Sequence, residues 1–201
     1  MIVTIKNIIG LNITYPYKEK ILRFINFLDD DAKEIQAVNT IYIDKIRSKI
    51  TGHNTDWIGF SESLNNFLPK KKLKALVLGS GGASKAICYS LIKKGIAYKV
   101  VSRNPRGNMI SYKDSDYLIE EYKLIINTTL LGSGLHIDKC PKINYNLISN
   151  NHFIYDLSYN PKETLFLKKT KKMGALTKNG HEMLEIQANK SFEIWKNKLE
   201  L

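Results

Sequence analysis

Cysteine is nearly missing from this chain: Cys88 and Cys140 are the two among 201 residues. That is no disulfide framework, and a reducing cytoplasm is the expected setting. Proline is sparse at five, which excludes collagen-like and proline-rich segments. No stretch approaches the ~20 uninterrupted apolar residues that a membrane-crossing helix needs. The opening MIVTIKNIIGLNIT has one early lysine and no small-residue cleavage site, so a secretory signal is not expected. Acidic residues are few, 19 against 31 basic ones, for a formal charge of +12. Only four of those 31 are arginines (Arg23, Arg47, Arg103 and Arg106), whereas a phosphate-reading surface favours arginine's bidentate fork. The lysines are scattered, apart from a short run at 70–72, so nucleic-acid binding is not expected. Net charge of this kind speaks to solubility and non-specific attraction, including that of a small anionic substrate.

Apolar residues at 43% and charged ones at 25% are globular proportions. The length allows one large domain or two small ones. Residues 8–14 read as a strand and Lys18 to Leu28 as a helix, with Ile21, Leu22, Ile25 and Leu28 on one face. Ala37 to Ile43 is strand-like. Thr55 can cap a helix that places Trp57, Phe60, Leu64 and Phe67 together. After Leu68-Pro69 and the lysine run the pattern becomes regular. Ala75 to Leu78 suits a strand buried on both faces. A glycine cluster and a helix with Ala83, Ala86, Ile87, Ser90 and Leu91 inward follow. Further strands are expected at 99–101, 124–126 and 153–155, and helices at 162–173 and 182–195. Strands alternating with helices imply parallel sheets with right-handed crossovers. Two α/β lobes are expected, joined near residues 56–72.

Gly79-Ser80-Gly81-Gly82-Ala83-Ser84 directly follows an expected strand and opens an expected helix. In that setting the glycines allow a tight turn and let the backbone approach a pyrophosphate, while helix N–H groups face its charge. Ser84 stands where Gly or Ala is usual, and an ordinary strand-to-helix turn would read the same way. The next strand ends in Val101-Ser102-Arg103-Asn104, with an arginine where an NAD site places an acid. A cation there suits the 2′-phosphate of NADP, although taken alone it is equally a solvated arginine.

In the first lobe, Asn12 to Lys18, Ala37 to Thr40 and Asn54 to Asp56 each lie at a strand end, where α/β folds open their ligand crevice. Singly, each fits a turn or a helix start. A lysine paired with an aspartate in a cleft would supply a positive charge and a transferable proton.

Together these blocks resemble the shikimate dehydrogenase family. GLNITYPYKE is similar to its Asn-Val-Thr-x-Pro-x-Lys segment, and AVNT and GHNTDWIGF to its next two blocks. VLGSGGASKAI resembles the cofactor loop and INTTLLG the Asn-Thr-Thr-Pro block. YDLSYNP and NGHEMLEIQANKSFEIW resemble the two C-terminal blocks. The resemblance implies an α/β fold: a Rossmann-type parallel-sheet domain over 57–180, and an incomplete α/β substrate-binding domain over 1–56 completed by a helix at 181–201. It implies NADP-dependent, reversible reduction of 3-dehydroshikimate to shikimate, with Lys18 and Asp56 as the catalytic pair and no metal. Thr14, Asn39, Asp56, Tyr159 and Gln187 would contact substrate. Gly79, Ser80, Gly81, Gly82, Ala83, Ser102, Arg103, Asn104, Leu157 and Gly180 would contact NADP.

Departures from the family pattern are Ser102 and Asn104 for Asn and Thr, Leu130 and Ser133 for Pro and Met, and His181 for Leu. Family members begin a few dozen residues upstream, with two more strand–helix units and a serine pair for the substrate carboxylate. The chain is therefore read as N-terminally shortened, with a homodimer or a partner chain expected to complete its first lobe. The alternatives are a quinate- or NAD-using relative, and a dinucleotide-binding remnant without turnover.

Overall fold

A computed structural model describes residues 8–69 and 72–199; the first seven residues, Lys70, Lys71 and the last two lie outside it. The elements divide between two sheets. The first holds β1 (Gly10–Asn12), β2 (Phe27–Leu28), β3 (Thr40–Asp44) and β4 (Lys49–His53), in the order β1-β3-β4-β2. The second holds β5 (Lys74–Leu78), β6 (Ala97–Val101), β7 (Leu124–Asn127), β8 (Phe153–Asp156) and β9 (Leu176–Lys178), in the order β6-β5-β7-β8-β9, with every pairing parallel.

The second sheet is the Rossmann-type sheet that the apolar runs point to. Its strands alternate faces with period two, and both faces are covered. Leu76, Leu78, Ile125 and Ile154 pack with Phe166 and Leu167 of α5 (Leu165–Lys172). Ala75, Val77, Leu124, Ile126 and Tyr155 pack with Phe60 and Leu64 of α2 (Asp56–Asn65), Ile87 and Leu91 of α3 (Gly82–Lys93), and Met183 of α6 (His181–Leu199). From β5 the chain crosses by α3 to β6 on one side, then returns past the short α4 (Tyr112–Ser115) to β7 on the other. The C-terminal ends of β5 and β7 therefore flank the point where strand order reverses, which is where such sheets open a ligand crevice.

The first sheet departs from expectation. It is mixed: β1–β3 and β3–β4 are antiparallel and only β2–β4 is parallel. The hairpin joining β3 to β4 makes this so, since a connection of four residues cannot return a parallel strand. Lys18 to Leu28 is not a helix. It forms a short 3₁₀ segment (Lys20–Phe24), and Ile25 turns to extended backbone so that β2 can pair with β4. The four apolar side chains behind the helical reading, Ile21, Leu22, Ile25 and Leu28, all still pack on the first sheet's core. The facing of these side chains follows the sequence pattern, and the backbone path does not. A short helix, α1 (Asp30–Ile35), follows, capped by the Asp29 carboxylate on the Ala32 N–H at 2.7 Å.

α6 joins the two halves. It starts beneath the parallel sheet at Met183 and ends with the Trp195 indole N–H donating to the Ile41 carbonyl at 2.9 Å. Three glycines let it sit so close. A Cβ at Gly180 would lie 2.6 Å from the Leu157 carbonyl carbon, one at Gly59 2.6 Å from the Met183 oxygen, and one at Gly10 2.5 Å from the Trp195 Cδ1. Among the described residues no helix is long and apolar enough to cross a membrane.

Candidate active site

Lys18 lies in the loop after β1. That loop turns at Thr14–Tyr17, where the Tyr17 N–H donates to the Thr14 carbonyl at 2.8 Å. The Lys18 carbonyl accepts from the Val38 N–H at 2.8 Å, which holds the lysine beside the strand entering β3. Asn39 sits at the start of that strand, and Asp56 is the first residue of α2, where a negative charge complements the helix dipole. Buried Asn54 ties the two together, its amide donating to the Ala37 carbonyl at 2.8 Å while its oxygen accepts the Asp56 N–H at 3.1 Å.

These supports bring three elements to one point. The Lys18 Nζ is 2.5 Å from the Asp56 Oδ2. The other carboxylate oxygen, Oδ1, accepts from the Asn39 Nδ2 at 3.0 Å, and the same amide donates to the Gln187 Oε1 of α6 at 3.1 Å. Asn39 and Asp56 are buried and Lys18 is largely so. The result is an ammonium with a fixed counter-ion, reachable from outside and set among amides.

The glycine-rich turn adjoins this pair. Gly79 has φ of +112°, and a Cβ there would be 2.6 Å from the Thr128 Oγ1, so both the backbone angle and the space demand glycine. Ser80 and Ser102 meet through their hydroxyls at 3.2 Å, and the Asn104 N–H donates to the Ser102 Oγ at 3.2 Å. A Cβ on Gly82 would lie 3.0 Å from the Lys18 Cβ, so the lysine loop rests on the first turn of α3. A Cβ on Gly81 meets nothing within 4 Å. An open cradle at a helix N-terminus, after a parallel strand and at the sheet's reversal point, fits the pyrophosphate of a dinucleotide.

The Arg103 side chain is exposed. The residue follows the end of β6 by two residues, and its charge opposes the rise that burial causes in the Tyr112 phenol. Gly180 packs against the Leu157 carbonyl, and its N–H donates to the Ser158 carbonyl at 3.1 Å. Ala83 lies in the first turn of α3. Thr14 is exposed and Tyr159 is 48% exposed, and their side chains take no part in the network around Asp56. Thr55 stands where the sequence suggests a helix cap, but its hydroxyl does not cap α2; it turns inward to Asn39 at 2.9 Å.

Residue-by-residue reading misses several members. Ser191 reaches Thr40 and Thr55, and its one signal is its position a helical turn after Gln187 on the same face of α6. Asn127, Asp156 and Thr164 form a second buried network at the ends of β7 and β8. The Asp156 carboxylate accepts from Asn127 at 3.0 Å, from Thr164 at 2.6 Å and from the Ser158 N–H at 3.0 Å. Burial pushes its pKa up to about 6 despite these donors.

A family model for the shikimate dehydrogenase substrate binding domain matches residues 2–41. The chain is 40% identical over 199 residues to the NADP(+) shikimate dehydrogenase of Aquifex aeolicus, which spans 92% of this chain and 70% of that protein. The crystal structure of shikimate dehydrogenase from the same organism superposes with a TM-score of 0.83 at 37% identity, covering 94% of this chain and 73% of that one. The shikimate 5-dehydrogenase of Thermus thermophilus, in complex with NADP(H) and shikimate, superposes with a TM-score of 0.82 at 29% identity, covering 96% and 74%.

Proposed function

The chain belongs to the shikimate dehydrogenase family, and we propose that it catalyses the NADP-dependent, reversible reduction of 3-dehydroshikimate to shikimate. The observation that carries this reading is the Lys18–Asp56 pair, set among Asn39 and Gln187 and resting through Lys18 on the glycine-rich turn. NADP, when bound, supplies or takes up the hydride. Gly79, Ser80, Gly81, Gly82 and Ala83 would hold its pyrophosphate, Ser102, Arg103 and Asn104 its 2′-phosphate, and Leu157 and Gly180 its nicotinamide side.

Within the protein, the Lys18 ammonium donates a proton to the ketone oxygen and offsets the charge that develops there. Electrostatic help of this kind is commonly worth a few kcal/mol in a dry site. In the opposite direction the same amine takes the hydroxyl proton. Asp56 keeps the ammonium in place through one carboxylate oxygen. Its other oxygen is held by Asn39, so the carboxylate cannot swing away, and it can also accept a substrate hydroxyl. When substrate binds, the Asn39 NH₂ can exchange its bond to the Gln187 Oε1 for one to a substrate hydroxyl, which frees that Gln187 oxygen as an acceptor. The exposed Thr14 and Tyr159 side chains complete the contacts.

Steady-state assays pairing shikimate or quinate with NADP or NAD test the proposal. Turnover is expected to be highest with shikimate and NADP. A preference for quinate or NAD moves the chain to the corresponding relative. NADP binding without oxidation in any pairing refutes the dehydrogenase reading.

A further inference from the structure

We propose that Thr40 and Ser191 are positioning residues for this site, acting through a buried hydroxyl cluster that fixes the sense of the Asn39 amide; the inference rests on the activity proposed above. The Ser191 Oγ is 2.7 Å from the Thr40 Oγ1 and 3.0 Å from the Thr55 Oγ1, and the two threonine hydroxyls are 3.4 Å apart. All three residues are fully buried or nearly so, so bulk water does not reach in to replace a lost partner.

Each hydroxyl has one proton to give and can accept two. Thr40 gives its proton to Asn39, so the 2.7 Å contact needs Ser191 to donate to the Thr40 Oγ1. That bond competes with the Gln187 carbonyl of the serine's own helix at 2.9 Å, while the Ser191 oxygen accepts from Thr55. Thr40 donates to the Asn39 Oδ1 at 3.0 Å, and the Thr55 N–H donates to the same oxygen at 2.7 Å. With its oxygen claimed from that side, the Asn39 amide must turn its NH₂ toward the Asp56 Oδ1 and the Gln187 Oε1. A flipped amide would set an oxygen against the carboxylate and lose both donors. The cluster therefore ensures that Asp56 meets a donor on the side away from Lys18. It also ties α6, which carries Gln187, to the strand that carries Asn39.

Three variants test this: Thr40→Val removes the hydroxyl and keeps the shape, Thr40→Ser does the reverse, and Ser191→Ala removes the hub. Because hydrogen bonds of this kind change a rate by roughly tenfold, Thr40→Val and Ser191→Ala should each lower kcat with shikimate about tenfold. The KM for NADP should be unchanged, and the double variant should fall little further. Thr40→Ser should restore most of the kcat lost in Thr40→Val. A purely packing role predicts the reverse order of the two Thr40 variants, and that order overturns the inference. The ¹⁵N side-chain amide signals of Asn39 and Gln187 decide independently of turnover. They should be exchange-protected in the unmutated chain and in Thr40→Ser, and averaged in Thr40→Val and Ser191→Ala; identical signals in all four overturn the inference. An unmutated chain without turnover that still shows this pattern refutes the dehydrogenase reading and leaves the positioning role standing.

Discussion

Alanine at Gly81 should separate folding from cofactor binding. Gly81 is the N-cap of α3 with φ −90° and ψ −173°, an extended conformation that alanine adopts freely. Its Cβ would touch no heavy atom within 4 Å, so no contact in the protein opposes the change. Alanine is a poorer N-cap than glycine by roughly 1 kcal/mol or less, and it recovers about 0.4–1 kcal/mol by restricting the unfolded chain. The two nearly cancel, and the melting temperature should move by less than about 3 °C. The same open space is what a pyrophosphate needs to reach the first-turn N–H groups. Losing one charge-assisted hydrogen bond costs about 1.5–3 kcal/mol, which weakens NADP roughly 10- to 150-fold. Gly180→Ala is the contrasting case. Its Cβ would lie 2.6 Å from the Leu157 carbonyl carbon, and the obstacle is backbone, which cannot rotate aside. Overpacking of about 1–3 kcal/mol should lower the melting temperature by several degrees as well as impairing turnover. Calorimetric titration with NADP and thermal unfolding read both quantities. The reasoning is refuted if Gly81→Ala binds NADP like the parent chain, or melts as early as Gly180→Ala.

Lys18→Met keeps the Cβ that rests on Gly82 but removes the ammonium. It should cut kcat by about 10²–10⁴ and leave NADP affinity intact; parallel loss of both would make the lysine structural. Asp56→Asn should cut kcat similarly, and the double variant should be little worse than the weaker single one, because the pair acts as a unit. Arg103→Asp should weaken NADP by about 10- to 150-fold and spare NAD, and an unchanged cofactor preference removes the arginine's assigned role. Asp156, raised by burial from an ordinary 3.8 to about 6, keeps its proton in the folded state over a range where the unfolded chain has lost it. Stability from this group is therefore greatest below about pH 4 and declines as pH rises to about 6, by up to about 3 kcal/mol. Asp156→Asn should abolish that decline and leave the variant more stable than the parent at pH 7–8. Unfolding free energies measured from pH 4 to 8 that run parallel for the two proteins would contradict this.

The parallel sheet and the glycine-rich turn were legible because their signals are local. Four apolar residues in a row at Ala75 to Leu78 suit only a strand covered on both faces, and the glycines that follow mark where it must turn. The segment from Lys18 to Leu28 shows the limit of that logic. Its apolar spacing fits a helix, but β4 offers an unpaired edge, and Asn26 and Asp29 both donate backbone N–H groups to it, so the chain extends instead. β4 itself, KITGH, has its glycine where Val38, Ile25 and Leu28 press closest, a close approach that no single stretch of sequence announces. Lys18, Asn39 and Asp56 fall in strand-end clusters that mark a crevice, but their joint role, and any role for Gln187, was legible only through the order of the blocks. The hydroxyls of Thr40 and Ser191, 151 residues apart, meet because α6 crosses back over the first sheet, a relation with no local signature.

The seating of α6 constrains the chain's future sequence as well as its present shape. The helix is fitted along a track of missing side chains, at Gly180 where it begins, at Gly59 beside Met183 and Gln187, and at Gly10 near its end. Gly59 and Gly10 have no chemical duty, yet a methyl group at either would tilt the rod that carries Gln187. Evolutionary drift should be arrested there as firmly as at a catalytic residue. A survey that equates invariance with chemistry would mistake these bearings for parts of the reaction centre.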